Sequence, residues 1–222
     1  MIELPEFENP WKYENGFFLT CNPKRIGKFT AQYEIFKSSQ KIPGVIVEFG
    51  VFKGASLARL AMFRKLFGGN SSKKILAFDT FGEFPNTEYE PDKKRRKQFI
   101  ENAGSESISK RQIKKVLKQK KCEDNLELIK GDIKNTVPKY IENNKQLKIS
   151  LLHLDTDIYE PAKVILKKMF PRVSRGGIVV IDNYGKFPGE TKAVDEFLED
   201  KNKKYTVRKF GFTDTPSYIV KE

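Results

Sequence analysis

The chain has 222 residues, a formal net charge of +13 and a hydrophobic content of 38%, including 18 phenylalanines. That apolar content supports a packed core and argues against wholesale disorder, and no apolar run is long enough to span a bilayer. Cys21 and Cys122 are too few for a disulfide framework, and Met1 to Phe7 lacks a basic segment followed by an apolar one, so a reduced, cytoplasmic protein is expected.

Residues 1–43 read as an aromatic-rich approach segment with one helix over 28–38, ending before Pro43-Gly44. Residues 45–49 form a short β-branched run, a buried strand broken by Gly50. A helix follows over 56–67, with Leu57, Leu60, Ala61, Phe63 and Leu66 at helical spacing. Gly68-Gly69-Asn70 is expected to stop it. The next strand, 75–78, is closed by Asp79. Residues 83–121 are polar and long for a connector, which marks a lid-like insertion. It is expected to hold one helix over 110–118, capped by Ser107 or Ser109. A third strand over 126–129 ends at Gly131-Asp132, and a short helix is expected over 137–142. Strands at 149–154 and 177–182 bracket a helix over 160–169. A last helix covers 189–200, and 205–208 with 217–220 read as a β-hairpin. The whole chain, 1–222, reads as a single domain.

Strand and helix alternate five times, which implies a mainly parallel sheet with helices on both faces. The hairpin adds an antiparallel edge and brings the sheet to seven strands. Ligands bind outside the carboxyl ends of such strands. Glu48, Asp79, Asp132, Asp155 and Asp182 all fall at expected carboxyl ends, on one rim. Two of these endings are especially acidic, Leu154-Asp155-Thr156-Asp157 and Ile181-Asp182-Asn183. Buried carboxylates are costly unless paired or metal-bound. On neighbouring strands, Asp155, Asp157, Asp182 and Asn183 would converge as hard oxygen ligands suited to Mg²⁺ or Ca²⁺ rather than zinc.

The turn after the first strand, Glu48-Phe49-Gly50-Val51-Phe52-Lys53-Gly54-Ala55-Ser56, combines a glycine bend with a helix start whose amides can meet a negative group. It matches neither the dinucleotide fingerprint nor a P-loop. An acid at the next strand end, Asp79, is placed to accept ribose hydroxyls, and Asp132 to reach an adenine amine.

This pattern resembles class I S-adenosylmethionine-dependent methyltransferases, and within them the macrocin-type sugar O-methyltransferases. The matching stretches are Val47 to Ser56, Ala77-Phe78-Asp79-Thr80-Phe81-Gly82-Glu83-Phe84-Pro85, Leu154 to Glu160, and Gly176 to Gly185, followed by a helix from Gly189. They cover about residues 25–200. The resemblance implies a Rossmann-like class I methyltransferase fold. It also implies S-adenosyl-L-methionine held by Glu48, Gly50, Gly54, Ser56, Asp79, Thr80, Asp132 and Asp155. A divalent cation, usually Mg²⁺, is implied on Asp155, Asp182 and Asn183, with Asp157 at the position of the family's proposed general base. The family often has two aspartates where this chain has Asp182-Asn183, an Asp-Asn pair that catechol-type methyltransferases also carry. Those enzymes use a lysine three residues after the first aspartate, where Ile158 stands here. The implied acceptor is a sugar-containing small molecule.

Two other readings stand beside this one. The positive charge fits an RNA methyltransferase, but the densest basic stretches, 93–97 and 110–121, lack the aromatic interleaving that base stacking wants. A lysine-rich surface serving solubility is the preferred account of the charge, so nucleic acid is not the expected partner. A non-catalytic adenosine-ligand binding protein would leave the acidic set without a reason. Whether the chain forms a homo-oligomer is open. His153, the single histidine, is expected to pack within its strand rather than to catalyse.

Overall fold

The computed structural model describes residues 2–68, 72–202 and 204–222. Seven strands form one sheet: β1 Val45–Phe49, β2 Ile75–Asp79, β3 Leu126–Lys130, β4 Ile149–Leu154, β5 Val173–Ile181, β6 Arg208–Lys209 and β7 Ser217–Val220. Their spatial order is β3-β2-β1-β4-β5-β7-β6. The first five pair in parallel, and β7 runs antiparallel to both β5 and β6. The order reverses between β1 and β4, and that switch point opens a crevice at the carboxyl ends of the strands.

Eight α-helices accompany the sheet among the described residues: α1 Pro10–Thr20, α2 Pro23–Ser39, α3 Ala55–Gly68, α4 Glu90–Ala103, α5 Lys110–Gln119, α6 Ile133–Asn143, α7 Tyr159–Met169 and α8 Pro188–Asp200. Strand residues alternate between two faces. Val47, Phe49, Leu152, Leu154, Val179 and Ile181 pack under α6, α7 and α8. Ile46, Ile75, Ala77, Leu151, Ile178 and Val180 pack under α2, α3 and α5. Every core strand is therefore apolar on both sides, as parallel sheets covered by helices require.

The same alternation positions the polar residues. Glu48 has the parity of Ile46, and His153 that of Leu151. Glu48 pairs in register with His153, and His153 with Val180, two residues before Asp182. Glu48, His153 and Asp182 thus form a row on the face covered by α2 and α3.

Some elements differ from expectation. The first forty residues hold two helices rather than one. α1 buries no residue, so no apolar stripe announced it. Its signal is Asn9-Pro10, an N-cap whose side chain accepts from Lys12 N at 3.3 Å, followed by proline at the first helical position. Asn22-Pro23 starts α2 in the same way, five residues before the expected start. α4 has no counterpart in the apolar pattern, because its segment is strongly charged and buries only Asp92. The α6 helix begins at Ile133, since the Asp132 side chain caps Lys134 N at 2.8 Å, and Pro138 lies inside it. In the hairpin, only Arg208–Lys209 pairs. Tyr205 instead packs its ring on Phe170, with centroids 5.0 Å apart. Of the expected stop after α3, Gly69 and Asn70 lie outside the described residues. Ser109, not Ser107, caps α5, in a reciprocal box with Gln112.

Candidate active site

A cavity of about 380 Å³ opens at the switch point. Gly50, Asp79, Thr80 and Asp132 line one end of it, and Asp155, Asp157, Asp182 and Asn183 also line it. Phe52, Phe84, Phe99 and Phe187 give it an aromatic wall, with Phe99 in ring contact with each of the other three.

The glycine turn is held from β2. Asp79 accepts amide hydrogens from Val51 at 2.7 Å, Phe52 at 3.1 Å and Phe81 at 2.6 Å. Thr80 Oγ1 lies 3.3 Å from it and donates its single proton at shorter range to the Glu83 carbonyl, at 2.9 Å, so three backbone amides of the turn hold the carboxylate. Gly50 has a φ of +87°, and a Cβ there would stand 1.8 Å from the Asp155 carbonyl oxygen. The close approach that requires glycine is therefore between β1 and β4. Gly54, at φ +85°, makes room for Ile113 of α5. Both glycines thus serve packing of the turn. Glu48 and Ser56 lie beneath the cavity rather than on it: Glu48 is fully buried, and Ser56 Oγ donates to its Oε1.

The acidic cluster is tied together by an amide. Asn183 Nδ2 donates to Asp155 Oδ1 at 2.9 Å and to Asp157 Oδ1 at 2.7 Å. Asp182 Oδ1 lies 3.3 Å from His153 Nε2, and its Oδ2 accepts from Lys28 Nζ of α2. The other ring nitrogen of His153 lies 3.4 Å from Glu48 Oε1, an ion-pair distance. Asp155, Asp182, Asn183 and Asp157 are thus assembled as the sequence pattern implies. Lys28 and His153 join them.

Electrostatics follow from that arrangement. Burial and the neighbouring Asp182 push Asp155 up to about 7. Burial, Asp155 and Glu190 hold Asp157 well above the carboxylate range. Asp182 goes the other way: burial would raise it, but His153 and Lys28 outweigh that and hold it low. Burial would lower His153, but Asp182 and Glu48 push it up to about 10. Both ring nitrogens of His153 face carboxylates, Asp182 and Glu48, an arrangement that favours the imidazolium, the form with no lone pair for a metal. One atom from each of His153, Asp155 and Asp182 lies within 4.8 Å of the others. The donors such a centre offers are the oxygens.

Glu190 is the residue the sequence did not single out. It is fully buried at the start of α8. Its Oε2 accepts from the amides of Thr156 at 3.2 Å and Asp157 at 3.1 Å, and its Oε1 from Asn183 N at 2.8 Å. One side chain thus fastens both acidic loops, including Asp157, whose φ is +65°. Burial and the charge of Asp155 push it up to about 8. The only sequence signal was an acid in the first turn of a helix following an acidic strand end.

The 83–121 segment is docked onto this frame. Asp92 of α4 is buried and accepts from Tyr159 N at 2.9 Å and Gly189 N at 2.7 Å, at the starts of α7 and α8. A Cβ at Gly189 would meet Asp92 Oδ2 at 1.8 Å. In return, Glu160 of α7 accepts from Glu88 N at 2.8 Å and Tyr89 N at 3.1 Å.

The sequence profile of the macrocin O-methyltransferase (TylF) family matches residues 21–213. A Streptomyces olivaceus protein described as 8-demethyl-8-(2,3-dimethoxy-alpha-L-rhamnosyl)-tetracenomycin-C 4'-O-methyltransferase is 26% identical over 146 residues, 64% of this chain and 54% of that one. The demethyldecarbamoylnovobiocin O-methyltransferase of Streptomyces niveus is 24% identical over 160 residues, 70% and 58% of the two chains. The matched region thus spans a little over half the length of these curated relatives. Among solved structures, CalS11, a calicheamicin methyltransferase, superposes with a TM-score of 0.76 at 26% identity, covering 95% of this chain and 85% of that one. An apo structure of CalS11 describes it as a TDP-rhamnose 3'-O-methyltransferase, with a TM-score of 0.65 at 26% identity over 93% and 84% of the two chains.

Proposed function

Because the chain belongs to the macrocin O-methyltransferase (TylF) family, we propose that it transfers the methyl group of S-adenosylmethionine to a hydroxyl of a sugar-containing small molecule, with a divalent cation at the acidic rim. One observation carries this reading: Asp155, Asp157, Asp182 and Asn183 converge on a cavity whose other end is the glycine turn with Asp79 and Asp132.

The donor set fits a hard cation. Asp155 and Asp182 supply carboxylate oxygens, and Asn183 would supply its amide oxygen after a half-turn of the amide. A hard cation takes oxygen ligands, and an imidazolium in the same cluster leaves no nitrogen competitor. Such an ion lowers the pKa of a bound hydroxyl and orients it. Asp157 is the base in this account. Burial and the neighbouring Asp155 raise its proton affinity, which favours accepting a proton from a bound hydroxyl. Glu190 holds the Asp157 backbone, so the carboxylate's direction is fixed from behind.

The donor lies along the first three strands, beside Gly50, Thr80 and Asp132. Since the Asp79 carboxylate is occupied by backbone amides, its contribution is to shape the turn, and its ribose contact shares those oxygens. The aromatic wall excludes water from the reacting atoms. The 83–121 insertion acts as a lid, anchored by Asp92 and Glu160, and its basic residues meet a phosphate or nucleotide on the acceptor.

The test is methyl transfer from S-adenosylmethionine to a panel of nucleotide-linked sugars, free glycosides and bulk RNA. Turnover confined to a sugar hydroxyl supports the proposal. Turnover on RNA alone, or donor binding with no turnover on any acceptor, contradicts it.

A further inference from the structure

Two cations hold Asp182 at once. His153 faces its Oδ1 and Lys28 its Oδ2. They differ in freedom. His153 is fixed in β4, its side chain 4% exposed, between Asp182 and Glu48. Lys28 reaches in from α2 on a flexible four-carbon stem, its side chain 23% exposed, and borders the cavity together with Arg25. Its ammonium is also under the attraction of Asp155. An ammonium therefore pairs with one of the two carboxylates to which the proposed function assigns a divalent ion, and lines the same cavity as the other.

We propose that Lys28 is the resident counter-cation of this site, balancing Asp182 and Asp155 until a divalent ion binds, and that binding displaces its ammonium into the cavity. The inference rests on the divalent-cation reading above. Buried carboxylates left without a partner are strongly unfavourable, and Lys28 keeps Asp182 paired while the metal is away. A divalent ion on Asp182 would repel the ammonium on Oδ2 at close range. Of the two cations, Lys28 is the more exposed, and it lines the cavity whereas His153 does not. The arrangement also discriminates by charge. A monovalent ion brings no more charge than the ammonium it would replace, whereas a divalent ion brings twice as much. Lys28 thereby sets a threshold on metal affinity.

The probe is Mn²⁺, with free ion measured by electron paramagnetic resonance on the full chain, wild type against Lys28→Gln, and Asp155→Ala as the ligand-loss control. Removing one competing positive charge within a few ångströms should tighten Mn²⁺ binding by about tenfold or more. A second readout uses the wild type alone: modification of Lys28 by a small amine reagent, followed by mass spectrometry, should rise when Mn²⁺ saturates the site. Equal or weaker Mn²⁺ binding by Lys28→Gln overturns the inference and leaves the divalent-cation reading standing. So does a Lys28 that stays protected in the Mn²⁺-saturated protein. Failure of both the wild type and Lys28→Gln to bind Mn²⁺ overturns the inference and that reading together.

Discussion

Glu190→Gln isolates the positioning of the acidic loops from their chemistry. The carboxylate accepts three backbone amides, two at Oε2 and one at Oε1. Glutamine has the same shape but one acceptor oxygen. Turned its better way, it keeps Thr156 and Asp157 and sets its NH₂ against the amide of Asn183. One buried N–H is then unpaired, which costs about 1–3 kcal/mol. Turned the other way, two are lost. The expected result is a urea-unfolding free energy lower by about 1–3 kcal/mol, with a larger fall in kcat than in donor affinity, because Asp157 and Asn183 lose their common anchor. Two measurements suffice: equilibrium unfolding, and turnover at saturating donor. Unchanged stability within about 0.5 kcal/mol together with wild-type kcat would refute the reasoning, since three buried amides cannot all be satisfied by one oxygen at no cost.

Further outcomes follow from other contacts. Gly50→Ala drives a Cβ to 1.8 Å from the Asp155 carbonyl at a φ of +87°, so destabilisation of more than about 4 kcal/mol is expected; a soluble variant with a near-normal melting temperature would contradict that reading. Asp92→Ala strips the acceptor from two helix-start amides at about 1–3 kcal/mol each, and limited proteolysis should cut within 83–121 faster than in the wild type; equal cleavage rates would deny the latch. His153 carries a folded-state value near 10 against 6.5 for a free imidazole, so the folded protein binds the extra proton. Its stabilisation is complete below about pH 6.5 and is lost as pH rises toward 10. The stability gap between metal-free wild type and His153→Asn should therefore narrow from pH 6 to pH 10; a gap that widens would reverse the assignment.

The rim of acids was legible because strand ends are local. An apolar run that stops at Asp155 or Asp182 announces both the strand and its terminus, and the β-α alternation places those termini on one side. The parity of Glu48, His153 and Asp182 could be counted from the same strands, yet its consequence depends on which helix covers that face. Lys28 enters from a helix more than 150 positions away in sequence from Asp182, and no spacing rule links them. Glu190 was hidden for a related reason: a glutamate in a first helical turn is ordinarily a solvated charge, and only the fold of the two acidic loops turns it inward. The glycines illustrate the reverse. Gly50 as the bend and Gly54 at the helix start are readable locally, whereas the atoms nearest to them belong to Asp155 and Ile113, neighbours that only the sheet order and the docking of α5 define. The helices α1 and α4 lacked an apolar stripe, so periodicity was silent, although Asn9-Pro10 carried a readable start.

In the proposed function the acids at the ends of β4 and β5 work through a divalent cation on a sugar hydroxyl. The most direct test is methyl transfer to the best acceptor of the panel after exhaustive EDTA treatment, then with Mg²⁺ restored, in the wild type and Asp155→Ala. Turnover should be lost in EDTA and recover with Mg²⁺ in the wild type, with no recovery in the variant although it still binds the donor. Full turnover in EDTA would contradict that role of the cation.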